Sequence, residues 1–159
     1  VIPNKAEEND MFRKLVSTSN DFAVTLPRLV MGVVFFAHGA QKMLGWFGGD
    51  GFKGTMGFFT QTMHIPAPFA VLAICAEFLG GLGLIVGLLG RVAAFGITCN
   101  MVVAVFTVHI GNGFFMNWTG NQKGEGYEYH LLAIAVALVI IVKGSGALSI
   151  DRALSGPAS

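Results

Sequence analysis

Apolar residues along this chain gather into four long runs, separated by short polar or glycine-rich stretches. The runs cover about residues 22–44, 67–89, 92–115 and 127–144. A helix rising about 1.5 Å per residue crosses the roughly 30 Å hydrocarbon core in about 20 residues, so each run is near spanning length. Helices satisfy their own backbone hydrogen bonds, which lipid cannot do for them. The pattern predicts an all-α integral membrane four-helix bundle, residues 22–145. A polar N-terminal tail (1–21) and a C-terminal tail (146–159) flank it.

Within that frame the runs differ. The first is the least apolar, carrying Arg28, His38, Gln41 and Lys42, with Pro27 near its start where a missing N–H costs little. In the following connection Phe52, Met56, Phe59 and Met63 recur at helical spacing, which predicts a short helix lying in the membrane interface. The second run holds one charge, Glu77, and Gly80, Gly81, Gly83 and Gly87, the small residues that let membrane helices approach closely. The third carries Asn100, His109 and Asn112, whereas Leu131–Val142 of the fourth has no polar residue.

Composition fits this reading: 53% of residues are hydrophobic and 12% charged, against about a quarter charged in soluble domains. A net charge of +1 gives no electrostatic footprint for nucleic acid, so the bilayer and other membrane subunits are the expected partners. The first residues lack a basic stretch leading into an apolar one, so no cleavable signal peptide is expected. Four spans put both termini on one side. That side would hold Lys5, Arg13, Lys14, Arg28, Arg91, Lys143 and Arg152, against Lys42, Lys53 and Lys123 on the other. Seven against three predicts both termini in the cytoplasm of a bacterial or archaeal cell, in its inner membrane.

Ionisable side chains inside a bilayer are costly, and each needs a partner or a purpose. Arg28, His38 and Lys42 fall within an arc of roughly 80° at 100° per residue, so one face of the first helix looks into the bundle. Helical rise puts Glu77 about 15 Å and His38 about 9 Å below the outer end. Side chains lean toward a helix's N-terminus, which brings His38 toward Glu77 and leaves Arg28 the poorer partner. His109 is at His38's depth; Lys42, Glu128 and His130 would line the outer mouth, with Arg28 deeper. Two readings stay open. One is a satisfied polar network that fixes helix register. The other is an acid–base pocket in which Glu77, His38 and His109 are catalytic and Lys42, Arg28, Glu128 and His130 bind substrate. A quinone is the candidate ligand. Two His at matched depth also permit haem, a weaker signal, and no covalent cofactor is expected. No HExxH or paired-carboxylate pattern points to a metal. Cys75 and Cys99 differ in expected depth and read as small apolar residues rather than a disulfide.

A set of motifs in order then carries a resemblance. It runs from Arg28-Leu29 through His38-Gly39-Ala40-Gln41-Lys42 with Gly45, and Glu77-Phe78-Leu79-Gly80-Gly81 with Gly87-Leu88. It continues at Arg91-Val92-Ala93-Ala94, His109 with Gly113-Phe114-Phe115, Tyr127-Glu128-Tyr129, and Ser149-Ile150-Asp151. The chain resembles the DoxX family of small four-helix membrane proteins over about 125 residues. The resemblance implies a membrane subunit of a quinone-linked electron-transfer complex, of the thiosulfate:quinone oxidoreductase type. The alternative it leaves is a non-catalytic subunit that stabilises a larger respiratory or photosynthetic assembly.

Overall fold

A computed structural model describes residues 5–155; the ends of the two tails, 1–4 and 156–159, lie outside the described residues. Among the described residues the fold is all helical. In chain order the helices are α1 (Lys5–Val16), α2 (Phe22–Leu44), α3 (Gly51–Gly57), α4 (Ala67–Val86), α5 (Gly90–Ala104), α6 (Glu128–Lys143) and α7 (Ile150–Ser155). Helix α3 runs on as a π turn over Phe58–Thr62. Helix α5 runs on as a π turn over Val105–His109 and a 3-10 turn over Ile110–Asn112.

Among the described residues, three helical segments are long and apolar enough to cross a membrane: Phe22–Leu44, Ala67–Val86 and Gly90–Asn112. Helix α6 has only 16 residues and rises about 24 Å, short of a full hydrocarbon core. The fourth apolar run, 127–144, is helical from Glu128 to Lys143, and the loop before it is pinned where Tyr127 and Glu128 N–H donate to the Gly113 and Phe114 carbonyls. The sequence sets α1 and α7 aside as tails, yet both are helices, and they pack against each other.

The long helices close a ring: α2 packs on α4, α4 on α5, α5 on α6, and α6 back on α2. The core between them holds Phe35, Leu84, Ile97, Ala137 and Ile140, all at most 2% exposed. Most remaining large apolar side chains face outward, among them Leu26, Phe69, Leu72, Phe95, Phe106 and Leu132. That is the surface a lipid solvent asks for. The α2–α4 crossing is the tightest. A Cβ on Gly39 would overlap the backbone of Glu77 and Phe78, and one on Gly81 would overlap the backbone of Phe35 and Phe36. Glycine is the residue that permits this approach. It also fixes the height of Glu77 against α2, directly beside the site.

Both tails meet at one end of the ring, here the tail end. Helices α4 and α5 join there through Gly87–Leu89. Leu89 adopts left-handed backbone at φ 51°, a conformation costing about 1–2 kcal/mol without glycine. Asp151 of α7 holds it, accepting from Leu89 N–H at 2.7 Å, Gly90 N–H at 2.9 Å and Ser145 Oγ at 2.5 Å. A carboxylate at the first turn of α5 also meets the positive end of the helix dipole.

Candidate functional site

A cavity opens toward the opposite end of the ring, the loop end. Its volume is about 910 Å³, at the upper end of the range for small-molecule sites. Glu77 sits on its wall, 5% exposed, on the α4 face that Gly39 allows α2 to touch. Lys42, in the last turn of α2, reaches down so that its Nζ donates to Glu77 Oε2 at 2.5 Å. Asn100 of α5 donates from Nδ2 to the other oxygen, Oε1, at 2.9 Å. Each carboxylate oxygen therefore has a donor from a different helix, which fixes the carboxylate plane against the cavity.

The far wall comes from α5 and α6. The π turn ending α5 carries His109, whose ring lies against that of His130, with centroids 4.0 Å apart and planes tilted by 43°. Nδ1 of His109 lies 2.8 Å from the Glu125 carbonyl. A carbonyl can only accept, so Nδ1 carries the proton and, in the neutral ring, Nε2 is left as an acceptor. His130 is 5% exposed and its Nδ1 has no hydrogen-bond partner; the buried hydroxyl of Tyr129 likewise has none. Both residues line the cavity. Orphaned buried polar atoms cost roughly 1–3 kcal/mol each, so two side by side on a cavity wall are a notable expense. The roof is Phe58, Phe59, Met63 and Ile65, from the π turn after α3 and the segment following it. Two π turns thus border one cavity, and such turns gather at functional sites.

The sequence-predicted residues divide in this geometry. Glu77, Lys42, His38, His109 and His130 all line the cavity. His38 does not partner Glu77, however; it is exposed, and the long stem of Lys42 takes that place. Reasoning from side-chain lean alone overlooked that a lysine can extend several ångströms past its own Cα. Arg28 is elsewhere. Its side chain is fully buried at the tail end, where Nη1 donates to the carbonyls of Leu84 at 2.5 Å and Ile85 at 3.2 Å, and Nη2 to Leu148 at 3.1 Å. It caps the C-terminus of α4 and is not at the cavity. Glu128 is also outside the cavity lining and braces the loop, accepting from Met116 N–H at 2.9 Å and Trp118 Nε1 at 3.3 Å. Both thiols are free, and Cys99 is exposed rather than buried, although it and Cys75 reach the cavity.

Asn100 and Tyr129 are the site residues that sequence reasoning passed over. Asn100 did give a signal, as an amide in an apolar helix. Tyr129 gave little, because an aromatic at a helix end reads equally as an interfacial anchor.

Apolar outer faces, close glycine crossings and an apolar cavity with a few polar groups between helices define a multi-pass membrane protein with an internal cavity. The chain belongs to the DoxX family, whose profile matches residues 23–110. It is 26% identical over 136 residues to a Bacillus subtilis protein named "Putative oxidoreductase CatD", covering 86% of this chain and 90% of that one. It is 28% identical over 135 residues to the Escherichia coli "Inner membrane protein YqjF", covering 85% and 94%. A Haemophilus influenzae protein is 30% identical over 132 residues, covering 79% and 85%. No solved structure matches the chain.

Proposed function

We propose that the chain is a membrane subunit of a quinone-linked oxidoreductase and that the cavity is where quinone is protonated. The observation that carries this is the Lys42–Glu77–Asn100 cluster, a charged pair on the wall of a largely apolar cavity. A quinone becomes a quinol by taking two electrons and two protons. An associated donor subunit supplies the electrons, and this chain supplies protons. As charge builds on the quinone oxygens, the Lys42–Glu77 pair hands over a proton and His38 at the exposed rim returns one from the aqueous side, the cycle running twice to deliver both protons. His109 and His130 face the second oxygen. The oxidoreductase name of the Bacillus relative points the same way.

In this reading α6 is a fourth span, extended by its flanking residues, and α3 lies in the interface at the loop end. Both termini are cytoplasmic, in the bacterial inner membrane where the Escherichia relative's name places that protein. A membrane-impermeant thiol probe should label a cysteine introduced at position 53 in intact cells and miss one at 152. Reversed labelling removes the orientation.

The functional test is turnover of the native complex. Glu77→Gln keeps the acceptor for Asn100 but cannot cycle a proton at neutral pH, and Lys42→Met removes the donor. Each should lower quinone reduction by about 100-fold or more, the usual scale for a lost acid–base group. Near-normal turnover in folded variants leaves the chain an accessory subunit.

A further inference from the structure

Two groups of glycines in the long helices differ in what a Cβ would meet. Gly32, Gly39 and Gly81 are sterically required, since an added Cβ would overlap the backbone of a neighbouring helix. Gly80 and Gly96, on the facing sides of α4 and α5, are not. A Cβ on Gly80 would come no nearer than 3.6 Å to Ala93 and Ile97, and one on Gly96 would meet only the Ala76 Cβ, at 3.5 Å. Those are ordinary contacts, and alanine would make a better helix at either place. What the two share is the cavity: both line it. Each missing side chain leaves about one methyl group's room on the cavity wall, where a Cβ would otherwise pack in ordinary contact with the facing helix.

That space leads outward. Between α4 and α5 the cavity is bordered by Phe69, Leu72, Val92 and Phe95, each 46–63% exposed on the apolar outer face. At the other limit it reaches Glu77, Tyr129 and His130. The cavity is therefore apolar where it meets lipid and polar where it ends. We propose that the α4–α5 gap, held open by Gly80 and Gly96, is a lateral portal for a tailed, lipid-soluble quinone. The headgroup lies against Tyr129, His130 and the Glu77–Lys42 pair while the tail leaves through the gap into the bilayer. The Tyr129 hydroxyl is sealed behind the cavity wall in the ligand-free protein, and a rotation of its side chain on binding lets it donate to a headgroup oxygen, the partner that it otherwise lacks. The proposal rests on the quinone reading above and adds the route and the headgroup anchor.

The test uses the full chain in nanodiscs and follows thermal stabilisation by two ligands, a decyl-tailed benzoquinone and the same headgroup without a tail. Gly96→Leu fills the gap and leaves the head pocket intact. The half-saturating amount of tailed quinone should rise about tenfold or more, the scale on which one overpacked side chain shifts an equilibrium. The tail-less headgroup reaches Glu77 from the loop end past Lys42, and its half-saturation should change less than twofold. Gly96→Ala should fold at least as well as the parent and bind both ligands normally. If Leu does not fold, Gly96→Val makes the same comparison. An unchanged response to tailed quinone overturns the portal, as does equal loss of both ligands, which would mean that the head pocket itself had collapsed. If the parent protein responds to neither ligand, the quinone reading fails and the portal fails with it.

Discussion

At the tail end, Arg28 and Asp151 are sealed in protein, 0% and 1% exposed, and commit most of their polar atoms to backbone groups and to Ser145, with Arg28 Nε alone left without a partner and away from any open space. At the loop end, Glu77 and Lys42 border about 910 Å³ of open space, across from a tyrosine hydroxyl and an imidazole nitrogen that have no partner. Both clusters put costly groups inside a membrane protein, and both tie several helices together. They differ in what surrounds them. The first terminates helices: Arg28 caps α4, Asp151 caps α5, and Arg91 donates to the Ile141 and Val142 carbonyls at the end of α6. The second leaves hydrogen-bonding capacity unspent beside a cavity. Burial of charge alone therefore does not mark a site; unspent capacity beside open space does.

The largest expected effect comes from breaking the closed end. Arg28→Met preserves much of the volume but leaves the Leu84, Ile85 and Leu148 carbonyls without their charged donor. It should destabilise the protein by about 3 kcal/mol or more, given the strength of hydrogen bonds to charged groups. Thermal unfolding in detergent measures this, and the protein that survives should turn over normally. A melting temperature equal to the parent's would remove the distinction between the two ends from this side.

The smallest effect on stability is expected at the open end and is of unusual sign. Tyr129→Phe deletes a buried hydroxyl that has no partner, so the ligand-free protein should be unchanged or more stable by up to about 1 kcal/mol. Quinone binding should weaken by about fivefold, the worth of one neutral hydrogen bond. Loss of stability without loss of affinity would mean that the hydroxyl serves the fold.

Much of this was legible in the sequence because lipid imposes simple rules. The apolar runs are where the long helices form, and the glycines beside Glu77 are where α2 and α4 touch. Charged residues in those runs stood out by their cost alone, so Glu77, Lys42 and the histidines were visible as candidates. What they pair with was not visible. Arg28 reads as part of a polar face until α4 is known to end beside it, antiparallel, with its last carbonyls bare. Asp151 lies in what looks like a tail, and its role depends on α7 folding back under the α4–α5 turn. The choice of Lys42 over His38 follows from reach, which helix geometry does not encode.

The most direct test of the contrast measures melting temperature and quinone reduction on the same preparations of the native complex for two variants, Arg28→Met and Glu77→Gln. The account predicts opposite signatures. Arg28→Met should melt well below the parent and retain the turnover of the folded fraction, whereas Glu77→Gln should melt close to the parent and lose turnover. A Glu77→Gln complex that melts low yet turns over normally would contradict it, because the cluster at the cavity would then be a structural brace like the one at the other end.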